Sequence, residues 1–245
     1  MVTFDPPLER AVLLRRYKRF LADVELEDGS HVTAHCTNTG RMTGCCAPGS
    51  PVLISRNDDP KRKLSYTLHG VKVGRSWVSV DTLAPNRVIA DALRRRRIPE
   101  LAHYDQVKTE VRYGESNRSR IDVLLNHSAG AHPPCYVEVK NVTLREGEYA
   151  LFPDAVSTRG LKHLAELERE VRRGHRAALI PFVPRPDCTR FDAAREVDPD
   201  WALALESAAA NGVEILPWRG RLDRRSLRLD RPLPWIPREI MKGAV

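Results

Sequence analysis

The periodicity of the chain changes once, near residue 86, and that change limits the folds open to it. Upstream, segments near 10–16, 19–26, 31–36, 50–56, 64–73 and 76–80 are rich in β-formers, and Asp28-Gly29, Pro48-Gly49 and Asp58-Asp59-Pro60 punctuate them. Several short strands with regular turns predict a small closed barrel or sandwich, and about 80 residues suit an OB-type barrel. Downstream, Val88, Ile89, Ala92 and Leu93 recur on one helical face, with Asn86 expected as N-cap and Pro99 as the stop. Three strand candidates follow at 107–113, 119–125 and 135–141, the first two joined by a Gly-Glu-Ser-Asn turn. A second helix is expected to turn Val156, Leu161, Leu164, Ala165 and Val171 inward and to stop at Gly174. An apolar strand at 177–183, a third helix from Pro199 (capped by Asp198) to Gly212 and a short strand at 213–218 complete the order. The tail from 219 carries no assignment. The expected fold class is thus α/β (α+β), with an OB-like β-barrel over 1–85 and an αβββαβ domain over 86–245.

Bulk properties narrow the function classes. No 18-residue apolar run is present, so a membrane span is not expected, and MVTFDPPLER places an acid and two prolines where a signal peptide is apolar. The expected compartment is the cytoplasm. Five cysteines, two of them adjacent, fit reduced thiols better than a disulfide framework. A zinc site from His31, His35, Cys36, Cys45 and Cys46 is disfavoured, because on a strand the two histidines stand roughly 13 Å apart. No phosphate-cradling G-x-x-x-x-G-K or G-x-G-x-x-G loop occurs. Lys and Arg outnumber Asp and Glu by 40 to 32, for a net charge of +8, and the cations cluster at 13–21, 94–97 and 171–176. Clustered cations favour a polyanionic partner. In the first cluster Arg16, Tyr17, Lys18 and Arg19, with Phe20, combine charge with aromatic faces, the pairing that single-stranded nucleic acids require. The same rings equally suit a barrel core.

The chemistry concentrates in residues 119–144. Alternation places Ile121, Val123 and Leu125 on one face of their strand and Arg120, Asp122 and Leu124 on the other, while Glu138 and Lys140 share a face of the next strand. A hairpin folded about Gly130 sets Val123 opposite Val137 and Asp122 opposite Glu138. Like charges at ~5 Å are unfavourable unless a cation lies between them. Mg²⁺ or Mn²⁺, held by carboxylates and water, resolves that repulsion and leaves room for a phosphate oxygen. Arg120 and Lys140 border the same acids. Glu110 adds a third acid, although bringing it opposite Asp122 is expected to need a bulge or a one-residue register change. Each pattern alone also fits a solvated sheet face.

The order helix, three strands, helix, strand, with Asp122 and then Glu138-Val139-Lys140, resembles the core of the PD-(D/E)xK nuclease superfamily, whose sheet is mixed. Asp122 follows Ile121 rather than proline; the literal Pro153-Asp154 comes later and reads as a helix cap. By that resemblance Asp122 and Glu138 are expected metal ligands, the Val139 carbonyl a further one, and Lys140 the partner of the attacking water. Arg159, Lys162 and His163, at helical spacing, would face DNA. Over residues 3–217, LLRRYKRFLADV, HCTNTGRMTGC, VDTLAPNR, YGESNRSRIDVLL, YVEVKNVTL and FPDAVSTRGLKHLAEL together resemble the sugar fermentation stimulation protein family. That resemblance implies non-specific DNA binding and a regulatory link to sugar, notably maltose, metabolism.

Two function classes compete on this reading. One is a Mg²⁺-dependent phosphodiesterase acting on DNA, with RNA a second candidate and a homodimer a candidate assembly. The other is a non-catalytic DNA-binding regulator; no groove-reading helix-turn-helix is evident, so its binding would be weakly specific and salt-dependent. An oligosaccharide-binding barrel ranks third, for want of paired aromatics. Asn38-Thr39-Gly40 belongs to the family pattern with no role derivable from sequence beyond a tight turn at Gly40.

Overall fold

The computed structural model describes residues 1–114 and 119–238. The expected Gly-Glu-Ser-Asn turn, beyond Gly114, lies outside the described residues. The first half forms β1 (Val2–Thr3), β2 (Glu9–Tyr17), β3 (Leu21–Leu26), β4 (His31–Cys36), β5 (Pro51–Arg56), β6 (Tyr66–Val73) and β7 (Ser76–Ser79). Strands β2 to β6 follow the order β4-β3-β2-β5-β6, and a parallel β4–β6 pairing closes them into a five-stranded barrel with β7 appended to β6. This is the OB-like barrel expected from the spacing of the turns. Leu13, Ala22, Val24, Val52, Ile54, Leu68 and Val71 fill it, all fully buried.

The second half contains α1 (Ala84–Arg94), β8 (Gln106–Tyr113), β9 (Ser119–Asn126), β10 (Cys135–Asn141), β11 (Leu144–Glu146), β12 (Tyr149–Phe152), α2 (Thr158–Arg172), β13 (Arg176–Val183), β14 (Arg190–Ala193), α3 (Pro199–Ala210), β15 (Glu214–Ile215), β16 (Trp218–Leu222) and β17 (Ser226–Pro232). Its main sheet runs β1-β17-β16-β13-β10-β9-β8 and is mixed: β10 and β16 lie parallel to β13, the remaining neighbours in that order antiparallel. Helix α1 buries Val88, Ile89, Ala92 and Leu93 on one face, and α2 with α3 cover the other. The αβββαβ core is therefore present. The tail without a sequence assignment supplies β16 and β17, and β17 also takes β1 as its outer neighbour, so the first residues of the chain join the second sheet. The separate three-stranded sheet β11-β12-β14 has no sequence signal, its strands being too short for alternation to register.

Three local expectations are corrected. Asn86 does not cap α1: the helix begins at Ala84 with Pro85 in its first turn, where a fixed φ and a missing N–H cost nothing. Pro153-Asp154 does not cap α2; the Ser157 hydroxyl accepts from the Gly160 N–H at 3.0 Å and performs that role. Val156 precedes this cap and is 74% exposed, and Ala165 faces solvent, while Glu166 and Glu170 are buried with Leu164 and Leu167. All five cysteines are free thiols. Among the described residues no helix is long and apolar enough to cross a membrane.

Candidate active site and nucleic-acid interface

The β9–β10 hairpin has the expected register, pairing Leu125 with Cys135, Leu124 with Tyr136 and Val123 with Val137. The ladder stops there. Beyond Val123 the strands part, and the Asp122 carboxylate enters the gap: its Oδ2 accepts from the Val139 N–H at 2.7 Å and its Oδ1 from the Asn86 Nδ2 of α1 at 2.7 Å. Asp122 and Glu138 are thus brought to neighbouring positions without forming the expected ladder pair, because the Asp122 side chain substitutes for the missing backbone partner of Val139.

Alternation along β9 also breaks at this point. Ile121 packs with the α2 side of the sheet, whereas Val123 and Leu125 pack with α1. The cause lies one strand further out. Thr109 pairs with Val123 and Val111 with Ile121, so Glu110 stands level with Asp122 without any change of register, but Glu110 adopts φ +56° and the ladder skips that pair. A side chain in that region re-aims its strand. The bulge expected at Glu110 is replaced by this local turn of the backbone. Glu110 itself is exposed and faces Arg120 at 3.4 Å, an open ion pair worth little.

Glu138 points to the α2 face and is 3% exposed. Its Oε1 accepts from Lys140 Nζ at 2.6 Å and makes a very short contact with Nδ1 of His163. Arg159 Nε donates to His163 Nε2 at 3.3 Å, which assigns the ring proton to Nδ1 and directs it at Glu138. Lys140 Nζ lies 3.0 Å from the same imidazole. Burial acts to raise the Glu138 pKa, but the His163 hydrogen bond and the Lys140 charge outweigh it and keep the carboxyl below its usual range. Asp122 behaves oppositely: burial first, then the charge of Glu138, push it up to about 6, against the Val139 N–H, Lys140 and Asn86. The two acids therefore feel each other.

The sign of the Asp122 shift gives a testable result. A carboxyl raised in the fold contributes stability that is complete below its ordinary range and is lost as pH rises through about 6. Asp122→Asn at pH 7.5 in chelator is expected to stabilise the protein by about 1–2 kcal/mol, read as a higher midpoint in thermal or urea unfolding. An equal or lower midpoint contradicts a net cost of holding charge at Asp122.

The donor set suits a hard divalent cation. Asp122 and Glu138 offer carboxylate oxygens, and every hydrogen bond of Glu138 falls on Oε1. Among the described residues no group of three or more His, Cys, Asp or Glu side chains is arranged around one metal position. Two carboxylates alone could hold only an ion that keeps several of its waters, as Mg²⁺ does. A cleft of about 470 Å³ leads to Asp122, lined by Asn86, Arg87, Arg94, Thr109 and Glu110. Arg94 belongs to the 94–97 basic cluster, whereas sequence reasoning misses Asn86 and Arg87 as site residues; their helical spacing from Arg94 is the available signal. Of the α2 residues, His163 enters the site and Arg159 supports it, while Lys162 is exposed and turns to Glu166 at 3.6 Å.

The barrel redistributes the expected basic cluster. Arg16 donates to the carbonyls of Arg19, Asn38 and Gly40 at 2.7–2.9 Å, and Arg19 Nε to that of Thr39 at 2.9 Å. These arginines hold the Asn38-Thr39-Gly40 turn in place. Asn38 Oδ1 closes the turn on the Gly40 N–H at 2.8 Å, and a Cβ on Gly40 would meet Asp154 Oδ2 at 2.8 Å, so a larger residue there would displace the Asp154 carboxylate. Tyr17 is tied to Asp23 at 3.2 Å with Arg15 over its ring. Lys18 and Phe20 remain at the surface, Phe20 45% exposed. Phe20 and Leu21 form a second cleft of about 470 Å³ with His35, Arg62, Lys63 and Leu64. Its walls are the β2–β3 turn, β3, β4 and the β5–β6 loop, the surface through which OB barrels hold oligomers. Arg62 and Lys63 belong to a short basic run, Lys61-Arg62-Lys63, but lie some forty residues from Phe20 and meet it only on closure of the barrel.

Comparison with known proteins agrees with this architecture. Residues 14–80 match the family model described as the SfsA N-terminal OB domain, and residues 83–226 that described as the sugar fermentation stimulation protein RE domain. The sugar fermentation stimulation protein homolog of Geotalea daltonii is 50% identical over 231 residues, covering 94% of this chain and 98% of that protein. The homolog of Thermosynechococcus vestitus is 48% identical over 227 residues, covering 92% and 93%. Among solved structures, that of Pyrococcus furiosus SfsA in complex with Ca²⁺ superposes with a TM-score of 0.83 at 30% identity, covering 94% of this chain and 96% of its own. With both domains matched and half of its residues shared with relatives of equal length, the chain belongs to the sugar fermentation stimulation protein family.

Proposed function

We propose that this protein is a divalent-metal-dependent phosphodiesterase that cleaves DNA, with RNA as a second substrate class, and that its barrel holds the strand being cut. The observation that carries this reading is the buried Glu138 carboxylate, joined to Lys140 and His163, beside an Asp122 whose pKa burial and the Glu138 charge raise and which itself lines an arginine-bearing cleft. The presence of Ca²⁺ in the structure of the Pyrococcus furiosus relative supports hard-cation chemistry in the family. Asp122 and Glu138, with the Val139 carbonyl, would hold Mg²⁺ or Mn²⁺. The bound ion would supply Lewis-acid polarisation of the phosphate.

The residues of the chain do the remainder. Arg94 orients the phosphate backbone along the cleft. Lys140 Nζ, held by Glu138, offers a fixed positive charge to the attacking water and to the developing phosphorane charge. His163, its Nδ1 proton on Glu138, keeps that carboxylate oriented and ionised. Arg159 fixes the tautomer. The family name supports a part in sugar metabolism, and five free thiols fit a reducing, cytoplasmic setting.

Cleavage of labelled DNA that requires Mg²⁺ or Mn²⁺ and stops in chelator is the expected result; inactivity on single- and double-stranded DNA and RNA in both metals contradicts it. The barrel cleft makes a separate prediction. Phe20→Ala should weaken single-strand binding by about 1–3 kcal/mol through lost base stacking, measured by fluorescence anisotropy in chelator. Phe20→Trp should retain it. Equal binding by all three proteins would remove the barrel from the interface.

A further inference from the structure

Ser55, His69 and Asp81 line a cavity that borders the cleft leading to Asp122, sharing Val2 and Arg87 with it, and contribute no side chain to that cleft. Ser55 Oγ lies 2.8 Å from Nε2 of His69, and Nδ1 of the same ring lies 3.1 Å from Asp81 Oδ2. From this arrangement we propose a second catalytic centre, a Ser-His-Asp hydrolase for short-chain acyl esters.

Each member is positioned by the barrel. Along β5–β6, Leu53 pairs with Gly70 and Ile54 with Leu68, so His69 is the extra residue of a β-bulge. Bulges re-aim a side chain, and this one turns His69 toward Ser55 on the partner strand. Asp81 follows β7; its Oδ1 accepts from the Leu83 N–H at 2.9 Å and from Thr37 Oγ1 at 3.3 Å, leaving Oδ2 for the imidazole. Accepting at Oδ2, Asp81 assigns the ring proton to Nδ1. Nε2 is then free to take the Ser55 proton. Phe4 packs on the His69 ring at 5.0 Å and holds its plane.

The three side chains open into one cavity of about 250 Å³, also lined by Phe4, Pro6 and Arg87. That volume is below the range of drug-sized ligand sites, so it selects a small acyl group. Arg87 is exposed and makes no ion pair or hydrogen bond among the described residues, which leaves its guanidinium available to a carbonyl oxygen that gains charge. In the reaction Ser55 Oγ bonds to the ester carbonyl carbon while its proton passes to Nε2. The carbon–oxygen bond to the alcohol breaks, and the alcohol leaves with that proton. Water then attacks the acyl-serine and gives a proton to Nε2; the acyl–Oγ bond breaks and Oγ regains the proton. Ester and water become acid and alcohol.

The full chain is treated with a fluorophosphonate, which loses fluoride as the Oγ–phosphorus bond forms, and the adduct is mapped by peptide mass spectrometry. p-Nitrophenyl acetate turnover is followed in parallel. The expected result is one adduct, on Ser55, with labelling and turnover absent in Ser55→Ala and slowed about 10³-fold or more in Asp81→Asn, where the amide favours the wrong tautomer of the ring. If Asp81→Asn does not fold, Ser55→Cys replaces it: the introduced thiol should react with iodoacetamide at least tenfold faster than Cys46. No adduct on Ser55, an equal rate in Asp81→Asn, or a thiol in Ser55→Cys no faster than Cys46 overturns the proposal. DNA cleavage by Ser55→Ala should match the unsubstituted protein, which separates this centre from the phosphodiester site.

Discussion

Lys140→Gln is expected to lower DNA cleavage by about 10²–10³-fold while the protein remains folded. The substituted amide keeps a donor toward Glu138 but removes the ammonium, 2.6 Å from the carboxylate, that would stabilise charge on the reacting phosphate. Alanine is a poorer test at this position. Glu138 is 3% exposed, and deleting its partner would leave a buried charge less compensated and confound activity with stability. His163→Gln serves as a companion: its loss should be smaller, because it acts by positioning Glu138, and it should appear in the metal concentration needed for half-maximal rate. Cleavage within threefold of the unsubstituted protein in Lys140→Gln contradicts the role.

The second large effect concerns stability. Arg185 is 2% exposed, meets both oxygens of Asp187 at 2.8 Å and donates to the Thr143 carbonyl at 2.6 Å. Thr143 lies in the two-residue connection from β10 to β11, so this guanidinium ties the end of the active-site strand to the segment after β13. Removing one side of a buried, hydrogen-bonded ion pair costs about 3–5 kcal/mol. Arg185→Ala should therefore lower the melting temperature by roughly 6–20 °C. Arg185→Met, which restores volume without charge, should lose less if Asp187 is also replaced by a neutral residue. A fall of under 3 °C in the alanine variant would show that the pair stabilises little.

The legible parts of this molecule are those with local periodicity or a register fixed by one turn. Six β-prone segments with punctuating Gly and Pro predict the barrel, and folding about Gly130 predicts the β9–β10 pairs. What alternation does not show is the interruption at Asp122, since it is set by the backbone of Glu110 on a different strand. The role of Asn86 is hidden for a similar reason. It reads as a cap by residue type, but Pro85 starts the helix earlier and frees Asn86 to hold Asp122. In the basic cluster the residue types are right for nucleic acid, yet three backbone carbonyls claim Arg16 first. Composition does not distinguish a cation that serves a turn from one that serves a ligand.

The most direct test is a time course of labelled single- and double-stranded DNA with purified protein in Mg²⁺, in Mn²⁺ and in chelator, with Glu138→Ala alongside. Metal-dependent cleavage lost in Glu138→Ala is the predicted outcome. Cleavage that persists in Glu138→Ala, or no cleavage in either metal, would contradict a phosphodiesterase centred on Asp122, Glu138 and Lys140.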